Sequence, residues 1–310
     1  MPHARSAYVC YFGLREPLVQ TQVLPYLRAI AASGVEVTLL TFEPASPAWT
    51  QPALAEATHD LAAAGIGWQH RRYHGRPSLA ATLVDVAVGA RFVRRACRRG
   101  GVGLVHARGH VPALMGALGA PRGTKLLFDD RGFMPEEYVD AGVWRAGGVV
   151  FRAMKAVERH LLRRADAVVV LTERARGVLA PQLAAREAGA PPVAVIPCCV
   201  DLAAFPLPTA DDRAAAKQSL GLSGRTVALY LGSSRGTYLL EELADFVMTL
   251  RDADPDTYLL ALTPRDVTQV AGLLCACGLD RSGFSVRSVP PAEVARYAAA
   301  ADVGLCFVRP

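Results

Sequence analysis

Hydrophobic and polar residues alternate along the whole chain in a pattern typical of α/β proteins. Short runs rich in Val, Leu and Ile are separated by longer stretches in which apolar residues recur three or four positions apart. The runs predict strands, and the longer stretches predict amphipathic helices. Because the strands are apolar almost throughout, we expect a parallel sheet covered by helices on both faces. The first strands are predicted at Ala7–Phe12, Glu36–Phe42, Gly67–Tyr73, Gly103–Ala107, Lys125–Asp129, Ala167–Leu171 and Val193–Ile196.

The alternation stops at "PCCVDLAAFPLPTADD", residues 197–212, which contains three prolines and has no helical or strand period. Such a stretch predicts a linker. Strands resume at Thr226–Gly232, Tyr258–Leu262, Phe284–Arg287 and Val303–Phe307. We therefore predict an N-terminal domain over 1–197, a linker over 198–212 and a C-terminal domain over 213–310. Doubly wound domains usually carry five or six strands, so the second domain is expected to be incomplete.

Charge is distributed unevenly between these two regions. The chain of 310 residues has a net charge of +6, but residues 1–197 hold 24 Lys and Arg against 15 Asp and Glu. A basic first half favours an anionic partner such as a phosphate group or a lipid surface.

No apolar run reaches the ~18 residues that a membrane-spanning helix needs. The seven cysteines, an odd number scattered mostly through apolar segments, favour reduced and buried thiols in a cytosol.

Charged residues follow two consecutive predicted strands. Since the carboxyl ends of parallel strands lie at one edge of the sheet, these side chains are expected to share a crevice. Asp129, Arg131 and Arg108 are predicted to be functional, because a strand end fixes a side chain better than a loop does. Glu136, Glu137 and Asp140 fall in a predicted polar loop, where mutual pairing on the surface explains them equally well. The group also contains His106, His110 and Asp130.

A glycine-rich turn, "GSSRG", follows the predicted strand that ends at Gly232. It fits the G-x-S-x-G pattern of a hydrolase nucleophile, but all seven histidines precede Ser234, so the order of a hydrolase triad fails. The turn is better explained as an anion-binding loop beside Arg235. No P-loop or G-x-G-x-x-G is present, and no zinc or calcium motif is complete, so neither a dinucleotide cofactor nor a metal is predicted.

Two predicted helices, within "RFVRRACRRGG" and "FRAMKAVERHLLRRAD", carry arginine-rich faces. In the second, Arg152, Lys155, Arg159 and Arg163 recur at helical spacing. A solvated surface explains either helix alone, whereas two such helices in a basic domain allow peripheral contact with an anionic membrane. Nucleic acid is not expected as a partner, because no stacking platform or groove-reading motif accompanies the arginines.

Seven segments occur in the order seen in family 4 glycosyltransferases, which the chain resembles from Ala7 to Pro310. They are "PLVQTQVLPYLRAIAASGVEVTLLTFE", "HARGHVPAL", "FDDRGFMPEEYVDAG", "ADAVVVLTERARGVL", "VIPCCVDLAAF", "YLGSSRGTYLLEELADF" and "RSVPPAEVARYAAAADVGLCFVRP". The resemblance implies a GT-B fold, in which two Rossmann-like domains face a cleft. It also implies retaining, metal-independent transfer of a hexose from a nucleotide-sugar to a glycan or lipid-linked acceptor. For bacterial relatives the setting is polysaccharide or glycolipid synthesis, in the cytoplasm or at the inner face of the membrane.

Donor-binding positions can be assigned from the same resemblance. Gly13 corresponds to the first-domain loop that faces the donor phosphates, Gly232 and Arg235 to the diphosphate loop, and Arg287 to the segment beside the nucleobase. Arg309 is expected to contribute to the same cationic pocket. Two departures stand out: Arg131 occupies the place where many relatives have a histidine, and Thr237-Tyr238 stands where many have a lysine.

The strongest signature of the family is a pair of glutamates spaced E-x7-E, which follows the strand equivalent to Val303–Phe307. The sequence ends before it. We therefore expect an enzyme whose second domain is cut short of its donor site, so that the 310-residue chain by itself can lack activity. A non-catalytic remnant or an acceptor-binding partner subunit is the alternative, and a nucleotide-sugar epimerase on the same fold ranks below both.

Overall fold

The computed structural model of the chain describes residues 4–75, 78–185, 189–200, 202–203, 205–233, 238–264 and 266–309. The chain divides into two compact units, Met1–Cys199 and Val200–Pro310, each with a sheet of its own.

The first unit is built on a seven-stranded sheet among its described residues, and every strand pairs in parallel with its neighbours. The order across the sheet is β3-β2-β1-β4-β5-β6-β7. The sequence explains the arrangement, since near-continuous apolar strands need cover on both faces. The strands are β1 Arg5–Cys10, β2 Glu36–Glu43, β3 Ile66–Arg72, β4 Leu104–Arg108, β5 Lys125–Asp129, β6 Ala167–Val170 and β7 Val193–Val195.

Helices cover both faces of this sheet, and the sheet separates two hydrophobic cores. One core contains Leu27 of α1 and Leu61 of α2. The other contains Val93 of α3, Met115 of α4 and Leu161 of α6. A π-helical turn, Val19–Val23, precedes the first helix. The helices are α1 Leu24–Ala32, α2 Gln51–Ala63, α3 Ser78–Gly100, α4 His110–Gly119, α5 Met134–Asp140, α6 Val149–Arg164 and α7 Glu173–Ala184.

The polar loop predicted around Glu136, Glu137 and Asp140 is instead helix α5. Pro135 lies at the start of this helix, where a missing N–H costs nothing. Glu136 and Glu137 occupy the first turn, where a negative charge is favoured by the helix dipole. The loop prediction was wrong because the segment is too short and too polar to show a helical period. The signs of a helix start were present in Pro135 and the two glutamates.

The second unit contains four parallel strands among its described residues, in the order β10-β9-β8-β11. Its first helix, α8, begins inside the predicted linker because Thr209 and Asp212 form a reciprocal capping box. The elements are α8 Ala210–Leu220, β8 Thr226–Leu231, α9 Leu240–Ala253, β9 Thr257–Leu262, α10 Val267–Ala276, β10 Phe284–Arg287, α11 Val294–Ala299 and β11 Val303–Leu305.

The cysteines are all free, but they are not uniformly buried. Cys10 is inaccessible, and burial raises the pKa of its thiol to about 11. Cys198, Cys199 and Cys306 are exposed, which corrects the expectation of buried thiols at these three positions.

Nowhere in the described ranges is a helix both long and apolar enough to cross a bilayer.

Candidate active site

The first unit has a topological switch point between β1 and β4. From β1 the chain builds outward through β2 and β3, and it then returns to add β4 on the other side of β1. The loops after β1 and β4 therefore diverge and open a crevice at the carboxyl edge of the sheet, where ligands bind in folds of this kind. Cys10, Arg108 and Asp129 lie in register at this edge.

A buried carboxylate with three cationic or titratable neighbours occupies the edge. Asp129 is 4% exposed and Arg108 is 5% exposed. The nearest distances are 3.7 Å from Arg108 Nη1 to Asp129 Oδ2 and 3.6 Å from Arg131 Nη1 to Asp129 Oδ1. His106 Nε2 lies 3.5 Å from Asp129 Oδ2. The structure thus brings together Asp129, Arg131 and Arg108, the three residues predicted to carry catalysis.

The two arginine contacts are ion pairs rather than close hydrogen bonds, and His106 lies at a similar distance from Asp129. Among the described residues, no hydrogen-bond partner is found for His106 Nε2, Arg108 Nη1, Asp129 Oδ1 or Arg131 Nε. Buried polar atoms are normally paired, so each such atom calls for an explanation. A ligand hydroxyl or phosphate oxygen, or an ordered water, would complete the set.

Gln22 joins the two arginines, a role that no sequence pattern indicated. Its Oε1 accepts hydrogen bonds from Arg108 Nη2 at 2.8 Å and from Arg131 Nη2 at 3.4 Å. Gln22 lies in the π-helical turn, between the buried Val19 and Val23. The contact spans 86 residues of sequence, so no local pattern could reveal it. Arg131 Nη2 also donates to Cys198 Sγ at 3.5 Å.

A second set of titratable side chains runs behind the crevice. Desolvation raises the pKa of Asp130 to about 7, even though the nearby His110 lowers it. His110 is buried, with Nδ1 3.9 Å from Asp130 Oδ1 and Nε2 3.5 Å from Glu158 Oε2. Burial acts to raise the pKa of Glu158, but hydrogen bonds from His110 and Lys155 lower it overall.

Lys155 connects this set to α5, which corrects its assignment to a solvated basic face. Its Nζ donates to Glu158 and also pairs with Glu136 Oε1 at 2.8 Å. Glu136 therefore anchors α5 to α6 and is occupied structurally. Burial raises the pKa of the neighbouring Glu137.

Gly13 lies in the loop after β1 and is held close to Glu43 at the end of β2. A Cβ on Gly13 would come within 2.9 Å of Glu43 Oε2 and of Pro44 Cδ, so a larger side chain would displace the loop. Glu43 is 7% exposed and accepts a hydrogen bond from Leu14 N at 2.9 Å. It also accepts hydrogen bonds from Thr41 Oγ1 and, at 2.9 Å, from Trp49 Nε1.

Asp85 of α3 organises the neighbouring strand ends. It is fully buried and accepts hydrogen bonds from Tyr11 Oη at 2.7 Å and from His74 N at 3.0 Å. His74 Nδ1 lies 2.6 Å from Asp85 Oδ1. The imidazole is therefore fixed at the carboxyl edge. Sequence reasoning missed this pair because a single aspartate in an apolar helix is an equally good sign of a structural role.

Three of the predicted donor residues of the second unit, Gly232, Arg287 and Arg309, lie at the carboxyl edge of its sheet. Gly232 follows β8 and Arg309 follows β11, and these strands are neighbours. A Cβ on Gly232 would approach Tyr230 Oη to 2.7 Å, and Tyr230 Oη itself donates to the carbonyl of Ser233. Arg287 ends β10, two strands from β8, and is exposed. Arg235 lies outside the described residues, and Gly13 belongs to the first unit.

The sequence model of Glycosyltransferase Family 4 matches residues 19–204, more than half of the chain, and the chain therefore belongs to this family. The match confirms the resemblance drawn from the seven segments. Comparison with curated proteins finds no match for the sequence.

Solved glycosyltransferases share the fold across almost the whole chain. A crystal structure of HepE from Anabaena with UDP and glucose has a TM-score of 0.64 at 13% identity and covers 99% of this chain and 74% of that one. WaaG, a glycosyltransferase involved in lipopolysaccharide biosynthesis, gives 0.66 at 15% identity, covering 98% and 75%. A glycosyltransferase from Rickettsia africae gives 0.63 at 13% identity, covering 99% and 74%. At these identities the likeness shows the fold, which is the GT-B fold.

Proposed function

We propose that this protein transfers a hexose from a nucleotide-sugar to a glycan or lipid-linked acceptor, with retention and without a metal. One observation carries the proposal: a member of Glycosyltransferase Family 4 holds an aspartate and two arginines together at the switch point of its first sheet. A UDP-bound structural neighbour supports a nucleotide-sugar as the donor.

The roles of the residues follow from their chemistry. Arg108 Nη1 and Arg131 Nε have no hydrogen-bond partner among the described residues, so they can bind an acceptor hydroxyl or a donor oxygen beside Asp129. In the second unit, Gly232, Arg235, Arg287 and Arg309 would stabilise the diphosphate as the glycosidic bond breaks. Fixed donors aimed at developing charge commonly supply the largest catalytic contribution. The departing diphosphate would take the proton of the attacking hydroxyl, and no metal is needed if arginines balance its charge.

The test incubates the full-length gene product with a panel of nucleotide-sugars, with and without a chelator, and measures the release of nucleoside diphosphate. Arg131→Ala should reduce release about 100-fold, in line with the loss of one well-placed donor. Arg122→Ala is the matched control, because Arg122 is exposed near the amino end of β5, at the opposite edge of the same sheet. The anomeric configuration of the product, read by NMR, tests retention.

Absence of release from every donor in the panel would contradict the proposal. If acceptor glycans still bound in that case, the non-catalytic alternative would be favoured. Equal activity of Arg131→Ala and the unmodified chain would contradict the assigned site while leaving the transferase reaction in place.

The exposed face of α3 supports contact with an anionic membrane. Its first half exposes Leu79, Leu83 and Val84. Its second half exposes only arginines among its charged residues, and the one carboxylate of the helix, Asp85, is buried. An apolar surface continuous with positive charge suits a bilayer of anionic phospholipids. The exposed arginines are Arg91, Arg94, Arg95, Arg98 and Arg99.

Sedimentation with vesicles tests this contact. Binding to phosphatidylglycerol vesicles should exceed binding to phosphatidylcholine vesicles and should fall as salt is raised. Replacing Arg94 and Arg98 with glutamate should weaken binding at least about tenfold, since each cation near such a surface contributes about 1 kcal/mol. Equal binding to both vesicle types would contradict the proposed contact.

A further inference from the structure

An open groove of about 380 Å³ lies beyond the carboxyl ends of β2 and β3. It is lined by residues 43–45, 48–49 and 70–72, all in the first unit. None of these residues was singled out by the sequence analysis, and none belongs to the cluster around Asp129. The volume falls within the range of small-ligand sites.

Aromatic side chains form a fixed wall on this part of the surface. The rings of Trp49 and Trp68 lie 5.4 Å apart, and the ring of His70 lies 5.2 Å from Trp68. Hydrogen bonds hold both indoles: Trp49 Nε1 donates to Glu43 Oε2, and Trp68 Nε1 donates to Thr41 Oγ1, each at 2.9 Å. A wall held in this way offers apolar contact at little entropic cost, as rigid binding surfaces require.

Three arginines give the groove a positive charge. Arg71 and Arg72 line it, and the guanidinium of Arg15 lies 3.6 Å above the Trp49 ring. In the described part of the chain, no ion pair joins any of the three to a carboxylate, and Arg71 Nη1 donates only to the carbonyl of His70.

The one carboxylate in the lining does not cancel this charge by direct pairing. Glu43 Oε1 is occupied by Leu14 N and Thr41 Oγ1, and its Oε2 is occupied by Trp49 Nε1. Guanidinium groups with free donors select carboxylate or phosphate oxygens. The groove therefore combines an apolar wall with unpaired donors for an anion.

We propose that this groove binds an acidic saccharide, whose ring contacts the aromatic wall and whose carboxylate or phosphate pairs with Arg71 and Arg72. Naming that saccharide as part of the acceptor rests on the proposed function. Glu43 supports this placement, because it holds both the groove residue Trp49 and the Gly13 loop. The groove thus adjoins the loop that is expected to face the donor phosphates.

Indole N–H signals in NMR spectra provide the test, because the chain has only three tryptophans. Trp49 reports on the groove, Trp68 on its supporting wall, and Trp144 packs against Tyr138 instead. Glucose 6-phosphate or glucuronic acid should shift the Trp49 signal and leave Trp144 unchanged. Neutral glucose should bind at least about tenfold more weakly, the loss expected when a charged hydrogen bond is absent.

Variants on β3 complete the test. Arg71→Ala combined with Arg72→Ala should weaken the shift caused by either acid at least about tenfold, whereas Arg122→Ala should not change it. Arg71→Lys with Arg72→Lys keeps the charge and should recover part of the binding. The relative response to glucose 6-phosphate and glucuronic acid distinguishes a phosphate ligand from a carboxylate ligand. Equal shifts with glucose, or with the double alanine variant, would overturn the proposal.

Binding and turnover separate this proposal from the reaction itself. A Trp49 shift without release of nucleoside diphosphate would contradict the transferase function but support the acidic-saccharide site. Release that proceeds while no acid moves the Trp49 signal would overturn the site and leave the transferase function in place.

Discussion

The two units share one strand order but differ in what they present at its carboxyl edge. The first four strands of the first unit run β3-β2-β1-β4, and the second unit runs β10-β9-β8-β11. In chain order both are third, second, first, fourth, so each places its switch point beside its first strand.

The first unit has a cluster of charged side chains at that point, in which the buried Arg108 and Asp129 are joined by the partly buried Arg131. The second unit places a glycine, Gly232, after its first strand and an exposed arginine, Arg287, at the end of β10. Buried side chains fix a substrate atom in one position, whereas main-chain groups and solvated arginines suit a larger anion. The two edges therefore fit the different acceptor and donor roles proposed for them above.

The largest expected effect concerns the buried charges. Asp129→Asn leaves Arg108 and Arg131 without their anion, so it should lower stability by about 3–5 kcal/mol, as when one partner of a buried pair is removed. Arg287→Ala, at the exposed edge of the second unit, should change stability by less than about 0.5 kcal/mol. Urea unfolding measures both. Similar losses in the two variants would remove the contrast between the units.

A pH titration tests whether the first unit also stores a buried proton. The pKa of Asp130 is raised to about 7, so between the ordinary carboxyl range and about pH 7 the folded state keeps a proton that the unfolded state has lost. Its stabilising contribution is complete at acid pH below the ordinary carboxyl range, and it is lost as pH rises to about 7. The full effect is at most about 4 kcal/mol.

In Asp130→Asn this part of the pH dependence should disappear, and the unfolding free energy should be flatter between about pH 4 and pH 7. The facing groups are His110, Glu158 and Asp129, and they remain in the variant. An unchanged pH profile would show that the proton is held elsewhere.

In the second unit the main-chain turn is the sensitive feature. Gly232→Ala would place a methyl 2.7 Å from Tyr230 Oη. We expect a loss of about 1–3 kcal/mol, typical of overpacking, together with weaker binding of UDP measured by calorimetry. Adding Tyr230→Phe removes the clashing hydroxyl and should restore part of the stability. No recovery in the double variant would indicate that the ring of residue 230, whose Cζ lies 2.9 Å from the added methyl, is the obstacle rather than the hydroxyl.

The smallest effect is local to helix α8. Thr209→Ala removes the acceptor of the Asp212 backbone N–H and should cost about 1 kcal/mol, the usual value of an N-cap. Thermal unfolding monitored by circular dichroism measures the loss. Thr209→Ser keeps the cap and serves as the control; equal losses in both variants would argue against the capping role.

The fold was largely predictable because each strand is a nearly continuous run of apolar residues, which marks it as a buried strand. Val105 and Ala107 of β4 and Phe128 of β5 are buried, and so are most of their neighbours within each strand. The arginine–aspartate cluster was predictable for the same reason, since Arg108 and Asp129 end two consecutive strands. Helix α5 was missed because its sequence is polar and its length is only seven residues.

The remaining site residues depend on contacts that no local pattern contains. Gln22 meets Arg108 across 86 positions, and Tyr11 meets Asp85 across 74. Glu43 lies just beyond the predicted strand Glu36–Phe42 and was not singled out from the sequence, yet its carboxylate joins three segments. The position of a residue within its strand or helix could be predicted from the sequence. Its hydrogen-bond partners elsewhere in the chain could be found only in the structure.

The carboxylate of Glu43 connects two separate segments of the first unit. One of its oxygens fastens the turn that contains Gly13, and the other fastens the indole of Trp49. A saccharide that displaces the Trp49 indole would therefore also shift the turn that contains Gly13, because the same carboxylate is hydrogen-bonded to both. Glutamine in place of Glu43 offers one acceptor oxygen and an amide NH2 donor, so it can accept a hydrogen bond from the turn or from the indole but not from both.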